Sequence, residues 1–200
     1  MPNIHHELLI AAPAEKIYDA ITSQEGLSAW WTPGTTAKPE LDSVARFPFG
    51  PEYFKEMKIT ELKPCAQVKW ICITGADEWI GSTISFKLRP GDKETLSNSN
   101  PEIKGQIQQQ RSDNGTLLIF HHDDWKEYTP MFAECNYTWG NSCEAVNYCV
   151  KPVRADHGQI NIVQNHRRIA KVRCSLPLRP GGTPKSSPRG GRPSAGLLTE

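Results

Sequence analysis

TLLIFHHDDWKEYTPMFAECNYTW, residues 116–139, holds the two patterns that decide the architecture. Its first half, TLLIFHH, is a β-branched and aromatic run of strand length. From Trp125 onward Met131, Phe132, Cys135 and Trp139 recur at helical spacing, which predicts a long amphipathic helix starting there. Upstream, VARFPFG (44–50), YFKEMKITEL (53–62), QVKWICIT (67–74) and WIGSTISFKL (79–88) read as strands separated by turn-forming GPE, KPCA and GADE. RPGDKETLSNSNPE is polar apart from Leu96 and reads as a mobile loop; KGQIQQQR then meets TLLIFHH across SDNG as a hairpin signal. At the other end IHHELLI (4–10) reads as a strand, with Ile4, His6, Leu8 and Ile10 on one face. Pro13 opens a short helix from Ala14 to about Ser23, carrying Ile17, Ala20 and Ile21. A second short helical turn, QEGLSAWW, ends at WTPG. Strand, two short helices, antiparallel meander and long final helix make an α+β domain whose sheet curls round the helix and leaves a cavity between them.

Alternation places an aromatic set on the concave side of that sheet. Phe47, Phe49, Trp70, Phe86, Phe120 and His122 point inward from strands, while Trp30, Trp125, Phe132 and Trp139 supply a lid and a helix wall. The same rings serve equally as plain core, as would Trp31 and Trp79. WWTPG has two readings, a mobile lid or a fixed turn packed by Trp30. His122 is either a lone polar group that orients a ligand or a core histidine satisfied by a neighbour. HHDDW resembles a metal cluster, but adjacent strand residues face opposite ways, so His121 and His122 do not meet one ion. No metal or cofactor is expected, and Asp124 and Glu134 read as solvated carboxylates. Without a G-x-S-x-G, an H-E-x-x-H or a phosphate-binding glycine loop, the residues argue for binding rather than catalysis.

The net charge of +1 hides a division. Residues 1–150 carry 13 Lys and Arg against 20 Asp and Glu, a net −7; residues 151–200 carry 10 against 2, a net +8. The pattern is an acidic domain over 1–150 and a basic Pro/Gly/Ser-rich tail over 151–200, read as disordered. MPNIHHELLIAAPAEK has no secretory layout and no run reaches membrane-span length, so a cytoplasmic protein without a membrane partner is expected. Cys65 and Cys72 read as reduced, packed thiols.

AAPAEKIYDAIT, GLSAWWTPG, FPFG, ITEL with the following VKW, WIGSTISF and TLLIFHHDDW, in that order, resemble the SRPBCC, or START-like, superfamily. Within it the match is to the activator of 90-kDa heat-shock-protein ATPase homologue 1-like family, over residues 4–140. The resemblance implies the helix-grip fold, with a curved antiparallel sheet around a C-terminal helix. It also implies a binding domain for a small hydrophobic ligand. The family name implies an alternative, a co-chaperone-like domain that docks on a chaperone and stimulates its ATPase. A cyclase-type enzyme of the wider superfamily ranks third.

The resemblance stops after Trp139. The family's usual continuation is Phe-Leu, then Ser-Leu-Lys, then Glu-Thr-Gly-x-Gly-x-Pro, and none of it is present. Reverse translation in the frame beginning on each codon's third base permits FLRSxKLLCETGxGRPWPNQHR from Asn141 onward, the expected ending nearly complete. Loss of one G turns TGG GGG CAA TTC, Trp-Gly-Gln-Phe, into the Trp-Gly-Asn-Ser seen at 139–142. The tail therefore reads as a frameshift at about Gly140. A basic arm for nucleic acid, as KSSPRGGRPSAG would allow, is the weaker reading. On the frameshift reading CEAVNYCV extends the helix by chance, with Cys143, Val146 and Val150 near the Trp139 face.

Overall fold

The computed structural model describes residues 1–150. The basic tail and the frame assigned to it, 151–200, lie outside the described residues. Strand β1 (Ile4–Ile10) is followed by helices α1 (Ala14–Thr22) and α2 (Gln24–Trp30), then β2 (Val44–Pro48), β3 (Phe54–Lys63), β4 (Gln67–Thr74) and β5 (Thr83–Asp92). Helices α3 (Lys93–Ser99) and α4 (Lys104–Gln109), with a 3-10 turn at Pro101–Ile103 between them, lead to β6 (Asn114–Asp123) and α5 (Pro130–Val150). One antiparallel sheet runs in the order β1-β6-β5-β4-β3-β2. Register shifts between Glu56 and Met57 and between Ile59 and Glu61 bend β3 over β4.

The apolar alternation in β4, β5 and β6 sends Val68, Trp70, Cys72, Ile84, Phe86, Leu88, Leu118 and Phe120 into one core with Ile17 and Ile21 of α1 and Trp139, Cys143, Val146 and Val150 of α5. Helix α2 packs tightly on α1. A Cβ at Gly26 would lie 2.5 Å from the Ala20 carbonyl oxygen, and that carbonyl accepts the Trp30 indole N–H at 2.8 Å. Ser23 caps α2 through its hydroxyl, which accepts Gly26 N–H at 3.0 Å.

Three expectations need correction. The segment 93–109 is helical, neither a loop nor the first strand of a hairpin. Asp92 accepts Thr95 N–H at 2.8 Å as a helix cap, and Leu96, Ile103 and Ile107 anchor the helices on Leu9, Leu117 and Ile119 of the convex sheet face. Three anchors spread over twelve residues escape a period-two search. The strand read at 79–88 begins at Thr83, because Ala76–Gly81 forms a turn closed by Trp79 N–H to Ala76 O at 2.8 Å. The final helix begins at Pro130, not Trp125. Asp124 takes a left-handed backbone (φ 67°), and Thr129 Oγ1 accepts Phe132 N–H at 3.1 Å to start the helix. The helix continues through Val150, with Cys143, Val146 and Val150 buried as expected.

Candidate functional site

All six tryptophans meet in the layer between the sheet and α5. Trp31, at the end of α2, is half-buried and inserts its ring between the two walls. It lies parallel to Trp30 and to Trp70, at 5.8 Å in both cases, and 4.0 Å from Phe47. From the helix wall it meets Trp139 of α5 at 5.2 Å. Trp139 in turn rests on Phe120 at 4.5 Å, and Phe120 on Phe86 at 5.2 Å. Phe49 and Phe132 form a half-buried rim, against Trp31 and Trp125 respectively. The ten residues chosen from the sequence are therefore brought together. They touch ring to ring, however, and do not wall an open cavity. A groove of about 500 Å³ lies elsewhere, between the start of α1, Cys65, Pro90–Asp92 and Asn114–Thr116.

His122 is the polar centre of the layer. Trp139 Nε1–H donates to its Nδ1 at 3.1 Å, which leaves the proton on Nε2 to be given to Ser82 Oγ at 2.8 Å. Ser82 Oγ–H continues the chain to Trp79 O at 2.6 Å. The rings of Trp79 and Trp125 flank the imidazole at 4.6 and 4.7 Å. Burial, and secondarily the charge of Lys55, hold the imidazole pKa down at about 3. Of the two readings of His122, the satisfied core histidine is the one in the structure. His121 faces the opposite side, stacked on His5 at 4.4 Å.

Lys55 is the functional candidate that the sequence reading missed. It is buried on the concave face of β3, with its ammonium 3.2 Å from the centroid of the Trp79 ring and 4.8 Å from that of Phe49. Among the described residues it is the one Lys, Arg, Asp or Glu in the buried set. The signal was available: strand alternation puts Lys55 on the same face as Met57 and Ile59. The same layer holds three buried indole donors with no acceptor, Nε1 of Trp70, Trp79 and Trp125. Cys65 and Cys72 are free thiols, the second buried and its pKa raised by that burial.

A curved six-stranded antiparallel sheet closed by a C-terminal helix, with an aromatic layer between them, defines an α+β helix-grip domain. The family model described as Activator of Hsp90 ATPase homolog 1-like protein matches residues 11–135, and the chain belongs to that family. No curated protein matches it. Among solved structures it is similar to the Aha1 dimer from Colwellia psychrerythraea, at 28% identity over 75% of this chain and 96% of that one, with a TM-score of 0.58. A Mesorhizobium loti protein at 15% identity, covering 78% of this chain and 100% of its own, has a TM-score of 0.57. One from Bacillus halodurans, at 17% identity over 76% and 98%, has 0.53. These last two share the fold. No helix among the described residues is long and apolar enough to cross a membrane.

Proposed function

We propose that this domain binds a small, largely apolar ligand between the sheet and α5, without turnover. The observation that carries the reading is Trp31. A half-buried ring at the end of a seven-residue helix fills the space between Trp70 and Trp139, directly over a layer with three unpartnered indole donors. An unpartnered buried donor costs about 1–3 kcal/mol, so a guest bearing oxygen acceptors recovers energy that the closed layer forfeits. Trp31 precedes Thr32, which is bonded to Pro48 O of β2, so a turn of the Trp31 side chain alone vacates the ring's place and leaves the sheet as it is. The binding-only part of the reading is supported by His122. Both its nitrogens are engaged and its pKa is held low, which leaves it poorly placed to move a proton.

The test is a titration with the uncharged fluorophore phenyl-naphthylamine, followed by quenching of tryptophan emission. One probe per chain is expected, bound more tightly by Trp31→Ala, in which the ring's place is empty. Absence of binding in both proteins overturns the reading.

A second reading, docking on a heat-shock-protein ATPase, draws on the family name and on one observation. Tyr137 and Tyr148 expose most of their rings along the outer side of α5, and Tyr128 does so just before the helix. Stimulation of an Hsp90 ATPase by the wild-type chain, lost in Tyr137→Ala, would favour it over ligand binding.

A further inference from the structure

We infer that the guest is a flat, conjugated ring compound with an oxygen acceptor, of the aryl-ketone kind, rather than an acyl chain or a puckered ring system. The inference rests on the binding reading above and adds the shape and chemical class of what is bound. Trp31 is the template, because the place its side chain vacates has the outline of one indole. Five rings surround that indole. Trp30 and Trp70 lie within 7° and 5° of parallel to it, each at 5.8 Å between centroids. Phe47 and Trp139 tilt against it at 4.0 and 5.2 Å, and Phe49 stands nearly perpendicular to it at the rim, at 6.2 Å.

The inner rings are anchored. Trp30 Nε1–H donates to Ala20 O at 2.8 Å, and Trp139 Nε1–H to His122 Nδ1 at 3.1 Å. Trp70 and Phe47 are fully buried, and Trp70 packs edge-on with Phe86 at 5.3 Å. Trp31 is only half-buried, so a turn of its side chain leaves a slot whose flat sides stay in place. Offset-parallel stacking asks for a partner as flat as those sides, with centroids about 4.5–7 Å apart, the spacing that Trp30 and Trp70 already keep to Trp31. A puckered ring or a bent chain touches such faces at few points and would have to spread them in a close-packed interior. The acceptor follows from the donors. Trp70, one of the two parallel sides, has a buried indole N–H with no acceptor, and Trp79 and Trp125 carry two more in the same layer. Indole nitrogen only donates, so the complementary group on a guest is an oxygen acceptor. A carbonyl conjugated to the ring offers that oxygen and keeps the molecule flat.

The experiment compares 2-acetylnaphthalene with its ring-saturated form, 2-acetyldecalin, as competitors of phenyl-naphthylamine on the full chain and on Trp31→Ala. The two ketones share one skeleton and one oxygen and differ in flatness. The saturated ketone carries more apolar surface, so an unshaped apolar site takes it at least as well. The wild type should instead bind the flat ketone at least about tenfold more tightly, the scale of two stacked ring pairs. Trp31→Ala should bind the flat ketone more tightly still and keep its lead. Adding Trp30→Leu to Trp31→Ala should cut that lead to about threefold or less, with the saturated ketone still bound. Equal affinities, a preference for the saturated ketone, or displacement by neither ketone overturns the flat-ketone assignment and leaves ligand binding intact. Failure of phenyl-naphthylamine itself to bind overturns both. Thermal melting of each variant identifies loss of fold; if the double variant fails to fold, the ratios in the wild type and in Trp31→Ala decide.

Discussion

Protonation of His122 is incompatible with the packed layer, and this gives a stability prediction with a definite sign. In the folded chain its pKa is held at about 3, whereas a free imidazole titrates at about 6.5. Between those values the unfolded chain binds a proton that the folded chain refuses. Stability is therefore full above pH 6.5 and falls as the pH drops toward about 3, the folded value. From the two pKa values, the loss from this one residue between pH 7 and pH 5 is about 2 kcal/mol at 25 °C. The physical source is burial first, and then the charge of Lys55, whose ammonium lies against the Trp79 ring. Urea unfolding at both pH values, on wild type and His122→Gln, isolates the effect, because the other titrating groups cancel in the difference. The wild type should lose about 2 kcal/mol more than the variant over that interval. His122→Gln will itself be less stable at pH 7, since Trp139 and Ser82 lose a shaped partner. Equal slopes in the two proteins would refute the closed, neutral arrangement of the layer.

Gly26→Ala should lower the melting temperature markedly, because its Cβ would meet the Ala20 carbonyl at 2.5 Å and push α2 off α1; about 1–3 kcal/mol is expected by urea unfolding, and a neutral effect would contradict the helix contact. Gln106→Ala should speed hydrogen exchange at the Leu9 amide, which donates to Gln106 Oε1 at 2.8 Å, with a stability loss of about 1–2 kcal/mol; unchanged exchange would mean that α4 does not hold β1.

Strand β4 and helix α1 were legible because each has a single face to bury, which period two or 3.6 writes directly into the residues, while β1 and β6 were legible as apolar runs of strand length although they bury residues on both faces. The aromatic set was legible for the same reason, down to Trp139 on α5. What the pattern left undetermined was whether those rings enclose space or fill it, since that depends on where Trp31 goes, and Trp31 lies beyond the last turn of α2. The α3–α4 segment was illegible because its anchors Leu96, Ile103 and Ile107 belong to separate turns, although Leu9, Leu117 and Ile119 mark a second apolar sheet face that something has to cover. Lys55 was overlooked through the habit of sending every lysine to solvent, although its neighbours in the strand place it inward. Ser82 had no signal at all: its role exists only because β5 begins beside His122.

Gln106 of α4 and Gln110 just after it have a consequence for how this domain meets other chains. Gln106 Nε2 donates to Glu7 O at 3.0 Å, its Oε1 accepts Leu9 N–H, and Gln110 Nε2 donates to Leu9 O, so side-chain amides stand where a neighbouring strand would. The opposite rim is blocked by other means. Thr36 exchanges both backbone bonds with Arg46, at 3.0 and 2.8 Å, while Pro48 brings no N–H and its carbonyl accepts the Thr32 hydroxyl. Edges blocked at these positions make a poor template for strand addition, whether by a copy of the chain or by an extended peptide. Where these side chains and the Thr36 bridge stand, a second strand finds its ladder positions taken, which favours association through side chains on the helices and faces.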